Sequence, residues 1–85
     1  MASYSLRFKR SVRRDVKSIP RPDMERILNA VDGLADNPHP LGAKPLTGRD
    51  AWRLHFGKYR VIYSVDHDNI IVEVIKIGHR GAVYR

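Results

Sequence analysis

Tyr4, Leu6 and Phe8 alternate with Ser5 and Arg7, the two-residue period of a short strand with one buried face. Phe8, Val12, Val16 and Ile19 then fall at helical spacing, with Ser11 placed to act as N-cap. Pro20 and Pro22 end this helix and open a second one. Its first turn carries Asp23 and Glu25, where carboxylates complement the helix dipole. Met24, Ile27, Leu28, Val31, Leu34 and Ala35 form its apolar stripe, and Asn37-Pro38 followed by Pro40 stops it. The stretch through Gly48, with Leu41, Gly42 and Pro45, reads as a loop.

The rest of the pattern predicts a three-stranded meander. Trp52, Leu54 and Phe56 alternate with Arg53 and His55, and Gly57-Lys58 is a two-residue turn with glycine first, the type II′ hairpin signature. Tyr59, Val61, Tyr63 and Val65 alternate with Arg60, Ile62 and Ser64. After a turn at Asp66-His67-Asp68-Asn69, the nearly continuous apolar run from Ile70 to Ile77 suits a central strand. The expected fold is therefore α+β in the order βααβββ, with two N-terminal helices on one face of a small antiparallel sheet. At 85 residues without repeats, the whole chain (residues 1–85) is expected to form a single domain.

Hairpin parity sorts the side chains further. With Gly57-Lys58 as the loop, Phe56 pairs with Tyr59, His55 with Arg60, Leu54 with Val61, and Arg53 with Ile62. Trp52, Leu54, Phe56, Tyr59, Val61, Tyr63 and Val65 then share the face under the helices. Arg53, His55, Arg60 and Ser64 share the opposite face. Continuing the parity adds Glu73 and Ile75 to that face, and His79 as well if the last strand runs on.

Composition narrows the chemistry. The apolar content of 42% with 29% charged residues is that of a folded globular chain. No apolar run approaches the ~18 residues of a membrane span, and the N-terminus lacks the apolar stretch of a signal peptide. No membrane association is expected. The absence of cysteine excludes disulfides, thiolate metal ligands and thiol nucleophiles, and a cytoplasmic location is the simplest expectation. The net charge of +7 points to a polyanionic partner. It is concentrated at the start of the chain: through Arg21, seven basic residues face Asp15 alone. Arg10, Arg13, Arg14 and Lys17, at i, i+3, i+4 and i+7, form a basic stripe that suits either a solvated face or docking on ribosomal RNA or an acidic protein.

An imidazole beside two guanidiniums has chemical meaning on the opposite sheet face. Arginine offers a permanently charged planar fork for phosphate, and histidine can move a proton near neutrality. Cleavage of RNA by its own 2′-hydroxyl needs a base, cations for the developing phosphorane, and an acid for the leaving 5′-oxygen. The same residues also suit a plain solvated sheet surface, with Glu73 as an ordinary ion-pair partner. His39, His55, His67 and His79 are scattered, with no i, i+4 pair, so neither a metal nor a cofactor is expected.

The segments Trp52-Arg53-Leu54-His55-Phe56, Gly57-Lys58-Tyr59-Arg60-Val61-Ile62-Tyr63 and Val74-Ile75-Lys76-Ile77-Gly78-His79-Arg80, running on to Val83-Tyr84, resemble the RelE/ParE toxin superfamily. Lys44-Pro45-Leu46 with Gly48 resembles the family's K-x-L-x-G approach to the sheet. The resemblance spans essentially the whole chain. It implies a toxin of a type II toxin–antitoxin system that cleaves mRNA on the ribosome without a metal, leaving a 2′,3′-cyclic phosphate. By the same resemblance His55 takes a general-base position, and Arg53 and Arg60 stabilise the transition state. Arg80 stabilises phosphate or donates a proton, with His79 as a rival acid, and Tyr84 orients or stacks on the substrate. Typical RelE enzymes carry lysines where Arg53 and His55 stand, so this chain departs from them at the residues that would move protons.

The resemblance also implies a cognate antitoxin whose C-terminal segment wraps the toxin, with the surface of the first two helices as a seat. Ribosome and mRNA are the other expected partners, and DNA is contacted only through the antitoxin. Two further readings stay open: a ParE-like toxin that inhibits DNA gyrase by binding, and a catalytically inactive RNA-binding relative.

Overall fold

A computed structural model describes residues 3–46 and 50–79 of the chain. Among these residues the chain forms β1 (Ser5–Phe8), α1 (Val12–Val16), α2 (Arg21–Asp36), β2 (Lys44–Pro45), β3 (Trp52–Phe56), β4 (Tyr59–Asp66) and β5 (Ile71–His79). The strands make one sheet in the order β1-β5-β4-β3-β2. The expected α+β class and the meander of β3, β4 and β5 are present. The sheet is mixed rather than purely antiparallel, because β1 pairs parallel to β5. The apolar run of β5, central between β1 and β4, serves both faces: Val72, Val74 and Ile77 enter the main core, and Ile75 packs in a second cluster.

The core lies between the helices and one sheet face. Val12, Ile27, Val31 and Leu34 meet Leu54, Tyr59, Val61, Tyr63, Val72, Val74 and Ile77 there. Tyr63 is fully buried and donates its hydroxyl to the Pro38 carbonyl at 2.8 Å, which ties the exit of α2 to the sheet. Burial away from water pushes its phenol pKa up to about 12.

Local details differ from the sequence expectations. The first helix is short, and Ser11 does not cap it through its side chain. Ser11 itself has helical angles (φ −62°, ψ −23°), whereas a capping hydroxyl needs the extended backbone of a true N-cap. The second helix carries proline in its first turn as expected, but Leu28 of the apolar stripe is 40% exposed. The presumed loop contains β2, in which Lys44 and Pro45 stand opposite Arg53 and Trp52.

The hairpin has the predicted register throughout, from Trp52 opposite Tyr63 to Phe56 opposite Tyr59. Gly57 has φ of +55° and Lys58 has no positive φ, as a II′ turn requires and a I′ turn does not. The pairing of β4 with β5 is irregular. Ile62 stands opposite Lys76 but Tyr63 opposite Val74, so Ile75 is the extra residue of a β-bulge. Each bulge shifts side-chain parity by one. Val72 and Val74 before it, and Ile77 after it, therefore all reach the core.

Candidate catalytic face

The strand face turned away from the helices carries the charged row. His55 stands directly opposite Arg60, and Arg53 opposite Ile62, as parity predicts. Facing side chains on paired strands have Cβ atoms about 5 Å apart, so the His55 imidazole and the Arg60 guanidinium share one patch. The pairing of β2 adds a cation that strand parity within the hairpin could not supply: Lys44 stands opposite Arg53 on the same face. Its only sequence signal was the K-x-L spacing, and its place beside Arg53 depends on β2 folding back onto β3. Gly78 stands opposite Arg60 on the other side and brings no side chain into the patch.

The groups are held to different degrees. Arg60 is only 9% exposed, which restricts its rotamers, while Arg53 is half-buried and His55 and Lys44 are exposed. Beside them Ala51 and Ile62 are buried with Leu46 and Ile75 in a small second apolar cluster. This cluster gives the patch a firm floor on one flank. Ser64 and Glu73 face each other further along.

The bulge separates His79 from this patch. With the parity reversed past Ile75, His79 stands opposite Tyr59, and the two rings lie 4.9 Å apart on the helix-covered side. The expectation that His79 joins Arg53, His55 and Arg60 is thereby corrected, because one inserted residue turns the end of β5 over. Tyr59 also donates to Asp23 Oδ2 at 3.0 Å, and burial, reinforced by that carboxylate, raises its phenol pKa. Arg80, Tyr84 and Gly48 lie outside the described residues.

The basic stripe takes a different form from an isolated helix face. Arg10, Arg13, Arg14 and Lys17 are all exposed. Arg10 and Arg13 flank a groove of about 1060 Å³ whose apolar lining includes Phe8, Val12, Met24 and Leu28. Phe8 is 45% exposed there. No helix among the described residues is long and apolar enough to cross a membrane.

The molecule is thus a mixed sheet covered on one face by two helices, with Lys44, Arg53, His55 and Arg60 on the other. Residues 6–84 match the family described as ParE toxin of type II toxin–antitoxin systems, and the chain belongs to this RelE/ParE superfamily. It is 37% identical to a protein named Toxin RelE from Mycobacterium tuberculosis, over 96% of this chain and 87% of that one. It is 29% identical to Toxin RelG of the same organism, over 96% of this chain and 97% of that protein. In three dimensions it is similar to a chain in the archaeal RelE–RelB complex of Pyrococcus horikoshii. That match has a TM-score of 0.80 and 29% identity, covering 94% of this chain and 98% of the other. The RelBE2 toxin–antitoxin complex of M. tuberculosis gives a TM-score of 0.66 at 31% identity, covering 92% of this chain and 99% of its counterpart. The chain is thus a RelE-like toxin of a type II toxin–antitoxin system.

Proposed function

We propose that this toxin is an mRNA endonuclease that acts on the ribosome, with His55, Arg60, Arg53 and Lys44 as the parts of its active site that the fold brings together. The carrying observation is the direct pairing of His55 with Arg60 on a sheet face that the helices leave uncovered. In the proposed reaction neutral His55 takes the proton of the RNA 2′-hydroxyl, and the 2′-oxygen forms a bond to the adjacent phosphorus. The P–O5′ bond breaks, the 5′-oxygen leaves as a hydroxyl, and the other fragment ends in a 2′,3′-cyclic phosphate. Arg60 and Arg53 stabilise the charge that builds on the phosphoryl oxygens, and Lys44 adds a point charge at the rim. His79 faces away from this patch, so Arg80 is retained as the donor to the leaving oxygen, with Tyr84 to orient the substrate. Side chains supply the base and the cations, so the proposed steps are metal-independent.

The partner that restrains the toxin is a cognate antitoxin, as in the toxin–antitoxin complexes to which the fold is similar. The groove beside α1 and α2 is its proposed seat. Exposed Phe8 and Leu28 suit an apolar helix face, and the flanking Arg10 and Arg13 suit acidic residues on it. The rest of the stripe, Arg14 and Lys17, is proposed to dock on ribosomal RNA, which places the activity in the cytoplasm. DNA contact would come only through the antitoxin.

A second reading, inhibition of DNA gyrase by binding, is favoured by one observation, the match to a family described by its ParE members. Induction of the toxin in cells, followed by mapping of mRNA 5′ ends, separates the two. The nuclease reading requires codon-phased cuts that disappear in His55→Ala and Arg60→Ala. Intact mRNA with accumulating gyrase-linked DNA breaks would establish the other reading. Intact mRNA without such breaks would leave an inactive RNA-binding relative.

A further inference from the structure

Three segments far apart in the chain bring two histidines together at the end of the sheet remote from the hairpin turn. His39 leaves α2 on a loop that Tyr63 fixes by its bond to Pro38, and its main-chain N–H is held by Asn37 Oδ1 at 3.1 Å. Its ring packs against Trp52 of β3, with centroids 4.4 Å apart. His67 sits in the turn between β4 and β5. The Asp66 carboxylate shapes that turn by accepting the main-chain N–H groups of Asp68 and Asn69. The Nδ1 atom of His67 meets the Tyr4 hydroxyl at 2.8 Å, and Tyr4 is itself held where its N–H meets the Ala35 carbonyl at 2.7 Å. The two Nε2 atoms face each other at 3.3 Å, and both side chains are exposed.

The 3.3 Å separation is within hydrogen-bonding reach of the two rings. It matches the edge of a zinc tetrahedron: two Zn–N bonds of about 2.05 Å at the tetrahedral angle put the nitrogens about 3.3 Å apart. The Tyr4 hydroxyl supplies what a ligand imidazole needs on its other nitrogen. With Nδ1–H donating to the tyrosine oxygen, the Nε2 lone pair of His67 is free to coordinate. The turn also carries Asp66 and Asp68 on either side of His67, a local excess of negative charge in a chain of net +7.

We propose that His39 and His67 form a two-histidine site for a borderline divalent transition-metal ion of the zinc class, with Tyr4 as the orienting partner of His67. No group of three or more His, Asp or Glu side chains is gathered around a metal position among the described residues. Water therefore completes the coordination, and the ion acts as a clamp. It ties the start of β1, the exit of α2 and the β4–β5 turn together, without touching the proposed catalytic face. Sequence spacing could not reveal this pair, whose members lie 28 residues apart.

The test uses the full chain, prepared without a histidine tag and free of antitoxin, titrated with zinc chloride and with magnesium chloride. Calorimetry is expected to find one zinc bound per chain and thermal unfolding to shift upward with zinc, reversibly with chelator, while magnesium does neither. His39→Ala and His67→Gln should each weaken zinc binding at least tenfold, and His79→Ala should leave it intact. Tyr4→Phe should weaken it about tenfold, the scale at which an orienting partner acts. Metal-free melting curves of each variant confirm that it folds. Zinc binding that is absent from the wild-type chain, or that survives unchanged in the His39→Ala, His67→Gln double variant, overturns the proposal.

Discussion

The carboxylate of Asp15 accepts the main-chain N–H of Ile77 at 3.2 Å. The last β5 residue that β1 pairs is Val74, opposite Phe8, so α1 takes over the bare edge of β5 where β1 stops. The same carboxylate lies 3.7 Å from Lys76 Nζ, which anchors the strand just past its bulge. Asp15 thus holds the strand segment that leads into Gly78, beside Arg60. Replacing it by alanine should destabilise the fold by about 1–2 kcal/mol, the scale of a lost charge-assisted bond at a partly buried site. A melting temperature unchanged in Asp15→Ala would show that the latch contributes nothing.

Arg60→Lys separates charge from geometry at the proposed active site. Lysine keeps the positive charge but loses the planar fork that spans two phosphate oxygens. Codon-phased mRNA cleavage in a reconstituted translation reaction should fall by about 10²-fold, as for loss of one transition-state donor. Lys44→Ala, at the exposed rim, should cost about tenfold or less. Full cleavage by Arg60→Lys would remove bidentate phosphate binding from the mechanism.

Tyr63 makes stability sensitive to alkaline pH. Its pKa is about 12 in the folded chain against 10 when unfolded, so its stabilisation is complete below pH 10. It is lost progressively as pH rises from 10 toward 12, because the unfolded state then gives up the proton more readily. Urea unfolding of the wild type at pH 8 and pH 10.5 should show a fall of stability that is smaller in Tyr63→Phe, where only Tyr59 keeps a raised phenol pKa among the shifted tyrosines. The phenylalanine variant should also start about 1 kcal/mol lower at pH 8, having lost the bond to Pro38.

Two turn residues with left-handed backbone should respond in opposite directions. Gly57 (φ +55°) tolerates this conformation freely, whereas Ile70 (φ +57°) is β-branched and strained by it. Gly57→Ala should cost about 1 kcal/mol or more, and Ile70→Asn should gain up to about 1 kcal/mol, since asparagine accepts the left-handed region. Chemical denaturation of both variants checks the pair. Loss of stability in Ile70→Asn would mean that the contacts of the exposed isoleucine side chain outweigh its backbone strain.

Leu28→Glu places a carboxylate on the exposed apolar wall of the groove beside α1 and α2. It should weaken binding of the cognate antitoxin at least tenfold while leaving mRNA cleavage by the free toxin intact. Unchanged antitoxin affinity in Leu28→Glu would move the seat elsewhere.

Much of this was legible in the chain because strand and hairpin rules act over short distances. The alternation of Trp52, Leu54 and Phe56, with glycine first in the turn, determined the hairpin register and hence the pairing of His55 with Arg60. The two prolines marked the junction between the helices, and the nearly continuous apolar run of Ile70 to Ile77 marked a central strand. Local pattern failed where one residue changed the count or where distant segments met. Nothing in Val74-Ile75-Lys76 announces a bulge, since the run is apolar on both faces and its register is settled only by pairing with β4. That single insertion decided that His79 joins Tyr59 and not Arg60. The parallel docking of β1 on β5, the arrival of Lys44 beside Arg53, and the meeting of His39 with His67 were likewise left to the tertiary structure. Each joins segments whose separation along the chain carries no periodic signal, so only strand pairing and tertiary packing could bring them together.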